Sequence, residues 1–458
     1  MRQGLDSSGL AGEDRAARDI ARQGTMALVA KDMQSTQASG ALPDISRMNW
    51  WGRLWQPFWA LPVAIVLGSI ALGVALPEVD RGASRSLPGL FNGGPSGARD
   101  LLGSIAGAMI SVTGLVFSIT IVVLQLASSQ FTPRILQGFL ANRTTQTTLG
   151  VFSASFVYAL TVLRAVRGDG ADVDVFVPQL AVTVAYLLVL AAVGVFFAFI
   201  NHITSSIQIS NVISRIGDDA RQRIERTYNA SSDPDEPSPT WTADHGTKKT
   251  PLRLPERHGV IIRVDFRQLC RTAQDLQVVV SLQEPIGAFV AAGQPVGVVW
   301  TTRDLTEEDL KRIGKAVGLG PKRTTEQDLA FSIRQLVDIA ERALSPGIND
   351  PTTATQIIDE LHGLLRDLAV RPAISPVVAD GQGRVRILHQ PPTFAGLLNL
   401  ATEEITHYGK DSLQVPRALS RMLDDLDRVA RPGYRDAIEQ VRQLVSAACQ
   451  AGVARSAR

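Results

Sequence analysis

Residues 101–133 contain no charged side chain, and this run constrains the fold more than any other feature of the chain. An α-helix rises about 1.5 Å per residue and about 20 apolar residues cross the hydrocarbon of a bilayer, so the run predicts a spanning helix. Polar side chains recur in it every seven residues and form one slowly winding stripe, made up of Ser104, Ser111, Ser118, Gln125 and Thr132, with Ser129 beside its end. Two roles stay open for this stripe: close packing against another helix, and the wall of a polar pathway.

Three further apolar runs accompany this one in the first half of the chain. They predict a transmembrane domain over residues 48–203 with four spans, at about 55–76, 101–133, 147–166 and 178–203. Four spans place both termini on the same side. Arginines flanking the spans are slightly more numerous on that side, so the positive-inside rule predicts that both termini are cytoplasmic.

The N-terminal segment 1–47 is polar and charged and has no short apolar core near its start. This composition argues against a secretory signal and predicts a disordered leader. A second interpretation stays open, in which translation begins at Met48, directly before the tryptophan-rich start of the first span.

The second half alternates charged and apolar residues, as a soluble domain does. We predict an amphipathic connecting helix over 204–228, a linker over 229–254 rich in Ser, Pro, Asp and Lys, and a small β-barrel-like module over 255–302. Residues 303–458 predict a helical cytoplasmic domain. The fold class is thus a multi-domain membrane protein, in which four transmembrane α-helices precede a soluble α+β domain.

The sharpest motif of the soluble half joins two predicted helices. Asp350 followed by Pro351 predicts a helix N-cap with proline at the first helical position. A capped joint explains these residue types, while a ligand site for a small anion at the helix N-terminus stays open, with Ser345, Asn349, Asp350 and Thr353 as its polar groups. Charged residues along the preceding helix, Asp328 and Asp338 among them, are interpreted as a solvated face.

Other classes of function find little support in the sequence. A net charge of +2 with scattered arginines argues against nucleic acid binding. The two cysteines and six histidines form no metal-ligand or catalytic spacing, so we predict no metal, no cofactor and no catalytic residues. A hydrolase that uses residues 345–353 is the least supported class. The expected partners are the lipid bilayer, further copies of the chain, and a cytoplasmic protein or small anion.

Two segments carry a family resemblance. FSITIVVLQLASSQFTPR at 117–134 and ALSPGINDP at 343–351 resemble the bacterial predicted membrane proteins of the domain-of-unknown-function family 2254. The resemblance implies an integral protein of the bacterial inner membrane and supplies no reaction. The leading hypothesis is an oligomeric channel or pathway for ions or small solutes with a cytoplasmic regulatory domain. The alternative is a membrane-anchored scaffold or signalling protein that binds a cytoplasmic partner.

Overall fold

The structure is a computed structural model that describes residues 58–82, 91, 93–130, 143–168, 175–228, 241–243, 247–254 and 258–456. The predicted leader, Met48, Thr132 and the side chain of Ser129 lie outside this description. The chain divides into two compact units. The membrane unit contains Ser46–Arg215 and Asp338–Ile348, and the soluble unit contains Ile216–Val337 and Asn349–Arg458.

Among the described residues of the membrane unit, four helices are long and apolar enough to cross a membrane, which confirms the four predicted spans. They are α1 (Ala60–Gly82), α2 (Pro95–Gln130), α3 (Arg143–Leu163) and α4 (Gln179–Ile207). Helix α3 is the most buried of the four and packs against the other three. Its core position explains why it is also the least apolar span, since its polar residues face protein.

Glycine allows α1 and α3 to approach each other closely. A Cβ atom at Gly150 of α3 would lie 2.7 Å from Ile65 Cδ1 and 3.2 Å from Pro62 Cα of α1. Further along α3, the Tyr158 hydroxyl is fully buried and donates to the Ala181 carbonyl of α4 at 2.9 Å. Small residues and an interhelical hydrogen bond therefore fix α3 against its neighbours.

Helix α5 (Ile209–Tyr228) begins almost directly after the fourth span, since only the extended residue Gln208 separates it from α4. From Ile216 onwards, α5 belongs to the soluble unit. There its Arg221 pairs with Glu360 at 2.5 Å. The predicted connecting helix is thus anchored in the soluble unit by polar contacts as well as by its apolar face.

Two open sheets form the β part of the soluble unit. The first has five strands in the order β1-β5-β3-β8-β7, antiparallel except for the parallel pair β3 and β8, and the second has the order β4-β2-β6. The strands are β1 Lys248–Arg253, β2 Gly259–Val264, β3 Val279–Leu282, β4 Phe289–Val290, β5 Pro295–Thr301, β6 Val317–Gly320, β7 Val377–Ala379 and β8 Val385–Leu388. Neither sheet closes on itself within the described residues, so the barrel-like detail of the prediction is not found.

The soluble unit also contains helices, of which the first two below pack against the five-stranded sheet and the last four pack against one another. They are α6 Phe266–Leu276, α7 Glu307–Gly314, α8 Leu329–Ala343, α9 Pro351–Ala369, α10 Phe394–Gly409, α11 Gln414–Val429 and α12 Arg435–Ser456. Helix α8 continues into the segment Asp338–Ile348, which groups with the membrane unit. Helix α9 begins at Pro351, directly after its cap Asp350, as the motif predicts.

The structure has strands outside the range 255–302 that the sequence predicts as the β module. Strand β1 lies in the range 229–254 predicted as linker, and β6, β7 and β8 lie in the range 303–458 predicted as helical. Helix α6 lies inside the range predicted as a β module. It buries Phe266, Leu269 and Ala273 at helical spacing and is capped by Asp265, whose side chain accepts the Gln268 N–H at 2.9 Å.

Candidate functional sites

The polar stripe of α2 points away from the other helices of its own unit. Ser104, Ser111, Ser118 and Gln125 are all exposed. The opposite face of the helix is buried against the unit, through Leu102, Ile105, Ala106, Met109, Val116 and Val123. The structure therefore places these four predicted side chains on one outward face.

On this outward face, a polar side chain forms a hydrogen bond within α2 itself, and the glycines leave open space. The Ser111 hydroxyl donates to the Gly107 carbonyl at 2.9 Å. A Cβ atom built at Gly107 or at Gly114 would meet no atom of the described chain within 4 Å. The side chains along the stripe leave room for another helix backbone to approach closely.

The predicted motif at the joint uses its polar groups locally. Asp350 caps α9, because its Oδ1 accepts the Thr353 N–H at 3.0 Å and its Oδ2 accepts the Thr353 hydroxyl at 2.5 Å. These hydrogen bonds lower the pKa of the Asp350 carboxyl. Asn349 holds the left-handed backbone at φ 49°, which asparagine tolerates better than most residues. The Ser345 hydroxyl donates to the Arg342 carbonyl at 2.7 Å.

A second polar cluster, which the sequence did not predict, lies at the start of α8. Asp328 is buried, and its Oδ2 accepts hydrogen bonds from Arg323 Nε at 2.9 Å and Nη2 at 2.8 Å. Its Oδ1 accepts the Phe331 N–H at 2.9 Å and so caps α8. Burial raises the pKa of Asp328, while the charge and hydrogen bonds of Arg323 oppose the rise.

Arg223 of α5 completes this cluster. Its Nη1 donates to the Ser332 hydroxyl at 2.9 Å, and the side chain is half-buried. Burial lowers the pKa of its guanidinium, and Asp219 and Asp328 oppose that change. Arginine stays protonated in proteins, so Arg223 carries a positive charge here.

The interpretation of Asp328 and Asp338 as part of a solvated face is wrong, because both residues are buried. Their burial was not predicted, because acidic and basic residues at helical spacing are typical of an exposed helix face. One signal was available for Arg223: it follows Ile216 and Ala220 at i+7 and i+3, on the face of α5 that packs inwards.

The described residues contain no group of three or more His, Cys, Asp or Glu side chains that could hold a metal ion. Cys270 is buried, and burial raises the pKa of its thiol, so the sulfur is a poor nucleophile near neutral pH. The joint at Asp350 and the cluster of Asp328, Arg323 and Arg223 therefore provide charges and hydrogen bonds, which suit binding better than catalysis.

Comparison with known proteins supports the resemblance seen in the sequence. A family model described as "Predicted membrane protein (DUF2254)" matches residues 55–425. Uncharacterized proteins of Mycobacterium bovis and Mycobacterium tuberculosis are 32% identical over 406 residues, which cover 86% of this chain and 76% of theirs. No solved structure matches the chain.

Proposed function

The chain belongs to the DUF2254 family of predicted membrane proteins, and from that premise we propose that it is a homo-oligomer whose α2 helices line a pathway for ions or small solutes. The soluble domain is the regulatory part of this assembly. The proposal depends on one observation, the outward position of Ser104, Ser111, Ser118 and Gln125 on α2.

Hydrocarbon offers no hydrogen bonds, so polar side chains within a bilayer are placed more favourably against protein or water. The serine hydroxyls can bond back to their own helix, as Ser111 does with Gly107. The Gln125 carboxamide has two donors and an acceptor, which demand more partners. Assembly of several copies around an axis that α2 faces gives all four side chains such partners.

The same arrangement explains the small residues beside the stripe. Gly107 and Gly114 have open space around their Cα atoms, which lets a neighbouring helix approach. A ring of serine and glutamine side chains around the axis then gives the pathway a polar, uncharged wall. In this proposal the protein resides in the bacterial inner membrane with both termini in the cytoplasm, as the arginine distribution favours.

The test is the conductance of purified protein in planar bilayers, combined with solute flux into proteoliposomes. Ser118→Leu should suppress current while cross-linked oligomers persist, because a large apolar side chain dewets a narrow polar path. Ser118→Ala is the matched control, since it removes the hydroxyl without adding bulk, and it should retain most of the current.

Two results contradict the pathway. If Ser118→Leu dissociates the oligomers, the stripe is a packing seam. If folded, oligomeric wild-type protein carries no current or flux under voltage, tension or osmotic steps, the alternative of a membrane-anchored scaffold or signalling protein replaces it.

A further inference from the structure

The soluble unit contains a cavity of about 480 Å³. Its wall is assembled from segments distant in sequence: the end of α5, the loop 284–288, the start of α8 and the segment 389–392. This volume is within the range of small-molecule sites and has room for roughly 15 non-hydrogen atoms.

Most of the lining is apolar. Phe266, Leu282 and Ile286 contribute to it, together with prolines of the segment 389–392. His389 also lines the cavity, with its ring 4.8 Å from that of Phe266. Burial lowers the pKa of His389, so the imidazole is neutral near pH 7. The apolar part of the wall thus suits the body of a ligand and not its charged group.

Of the four charged residues in the wall, two form an ion pair with each other and two do not. Arg323 and Asp328 neutralise each other through two hydrogen bonds. Glu284 accepts a hydrogen bond from the neutral carboxamide of Gln294 at 3.3 Å and, among the described residues, has no cation within 4.0 Å. Among the described residues, Arg223 has no carboxylate within 4.0 Å, and its one hydrogen bond goes to the neutral hydroxyl of Ser332. The carboxylates of Asp219 and Asp328 act on its charge from further away and compensate for part of its burial.

A half-buried guanidinium without an ion pair is costly, and an anionic ligand group would relieve that cost. We propose that this cavity binds a small carboxylate with an apolar body, and that Arg223 pairs with the carboxylate. This inference does not rest on the proposed pathway. Since α5 follows the fourth span after one residue, the ligand would contact the helix that leads into the membrane.

Binding is tested with 1-naphthoate and its neutral analogue 1-naphthamide, by equilibrium dialysis against the full chain in lipid nanodiscs, with empty nanodiscs subtracted. Wild-type protein should bind the carboxylate roughly 10- to 100-fold more tightly than the amide, as a charge-assisted hydrogen bond provides. Arg223→Gln should remove that preference, because it should weaken binding of the carboxylate much more than binding of the amide. Arg226→Gln, three residues on and exposed, is the matched control and should bind like wild type.

A second variant separates loss of the site from loss of folding. Ala330→Phe adds bulk at the cavity wall and keeps Arg223, so it should abolish binding of both probes while thermal melting shows a folded protein. Equal binding of carboxylate and amide by wild type would overturn the proposal. So would unchanged naphthoate affinity in Arg223→Gln, or no binding of either probe at millimolar concentration.

Discussion

Asp80 near the end of α1 caps the first turn of α4, because its Oδ2 accepts the backbone N–H of Leu180 at 3.1 Å. The same oxygen accepts the Ala181 N–H at 3.2 Å. The first N–H groups of a helix have no partner within the helix, so a carboxylate from another span satisfies them. One side chain thereby fixes two helix ends whose residues are 100 positions apart in sequence.

Asp80→Ala should lower the free energy of unfolding by about 0.5–2 kcal/mol, the range for a lost N-cap, whereas Asp80→Asn should retain most of the stability. Thermal melting of the purified protein measures both. Glu78→Ala is the control and should change little, since Glu78 is exposed and its ion pair within the described part of the chain is with Arg81 of the same helix. Equal losses for Asp80→Ala and Glu78→Ala would contradict the capping role.

Two glycines distinguish packing within the chain from packing between chains. Gly150→Leu should lower the melting temperature of the protein, at a cost of about 1–3 kcal/mol or more, because Ile65 and Pro62 already occupy the space beside it. Gly107→Leu should leave the melting temperature unchanged and reduce cross-linked oligomers, since a Cβ atom at Gly107 would meet no atom of the described residues within 4 Å. Intact oligomers in Gly107→Leu would exclude this face of α2 as an interface.

The orientation of the protein is open to thiol labelling. In a variant without Cys270 and Cys449, a single cysteine at Ser84 should react with an impermeant reagent added to intact cells. A cysteine at Ser231 should react only after permeabilisation. The reverse pattern would place both termini outside the cytoplasm.

Asp350 should behave as a helix cap. Asp350→Ala should lower the free energy of unfolding of the soluble domain by about 0.5–2 kcal/mol, as measured by thermal unfolding. Asp350→Ser should retain most of the wild-type stability. Asp359→Ala, exposed on the same helix, should have a small effect. Full stability in both Asp350 variants, with loss of the protein's activity, would favour the ligand site instead.

The buried ion pair of the β7–β8 hairpin should be costly to break. Arg386 Nε donates to Asp380 Oδ2 at 2.7 Å, and both side chains are almost fully buried. Asp380→Leu alone should cost about 3–5 kcal/mol, because it leaves a buried charge unpaired. The double variant Asp380→Leu with Arg386→Met should lose less free energy of unfolding than Asp380→Leu alone, as measured by chemical unfolding.

This pair also predicts a pH dependence. Burial acts to raise the pKa of Asp380, but hydrogen bonds from Arg386 and from the Arg384 and Gln382 N–H groups outweigh it, so the pKa is lowered. The folded pKa then lies below the unfolded value of about 3.9, and the stabilisation is complete above that value and is lost as the pH falls through the folded pKa. Unfolding free energies of Asp380→Leu and wild type should therefore converge in acid.

Local signals explain which features the sequence could predict. The start of α9 follows from Asp350 and Pro351 alone, and the four spans follow from apolar length. The parallel pair β3 and β8 was not predictable, because it joins Val280 to Ile387 with three helices between them in sequence. The same holds for the cavity, since the roles of Arg223 and Asp328 depend on segments that meet only in the folded soluble unit.

The edges of the five-stranded sheet are poor templates for strand addition. Strand β1 forms one edge and carries Lys248, Lys249 and Pro251, and the other edge, β7, is three residues long. Charged residues, a proline and short length all oppose edge-to-edge pairing and aggregation between copies. Copies that come close together are thus protected from joining their five-stranded sheets into one continuous sheet.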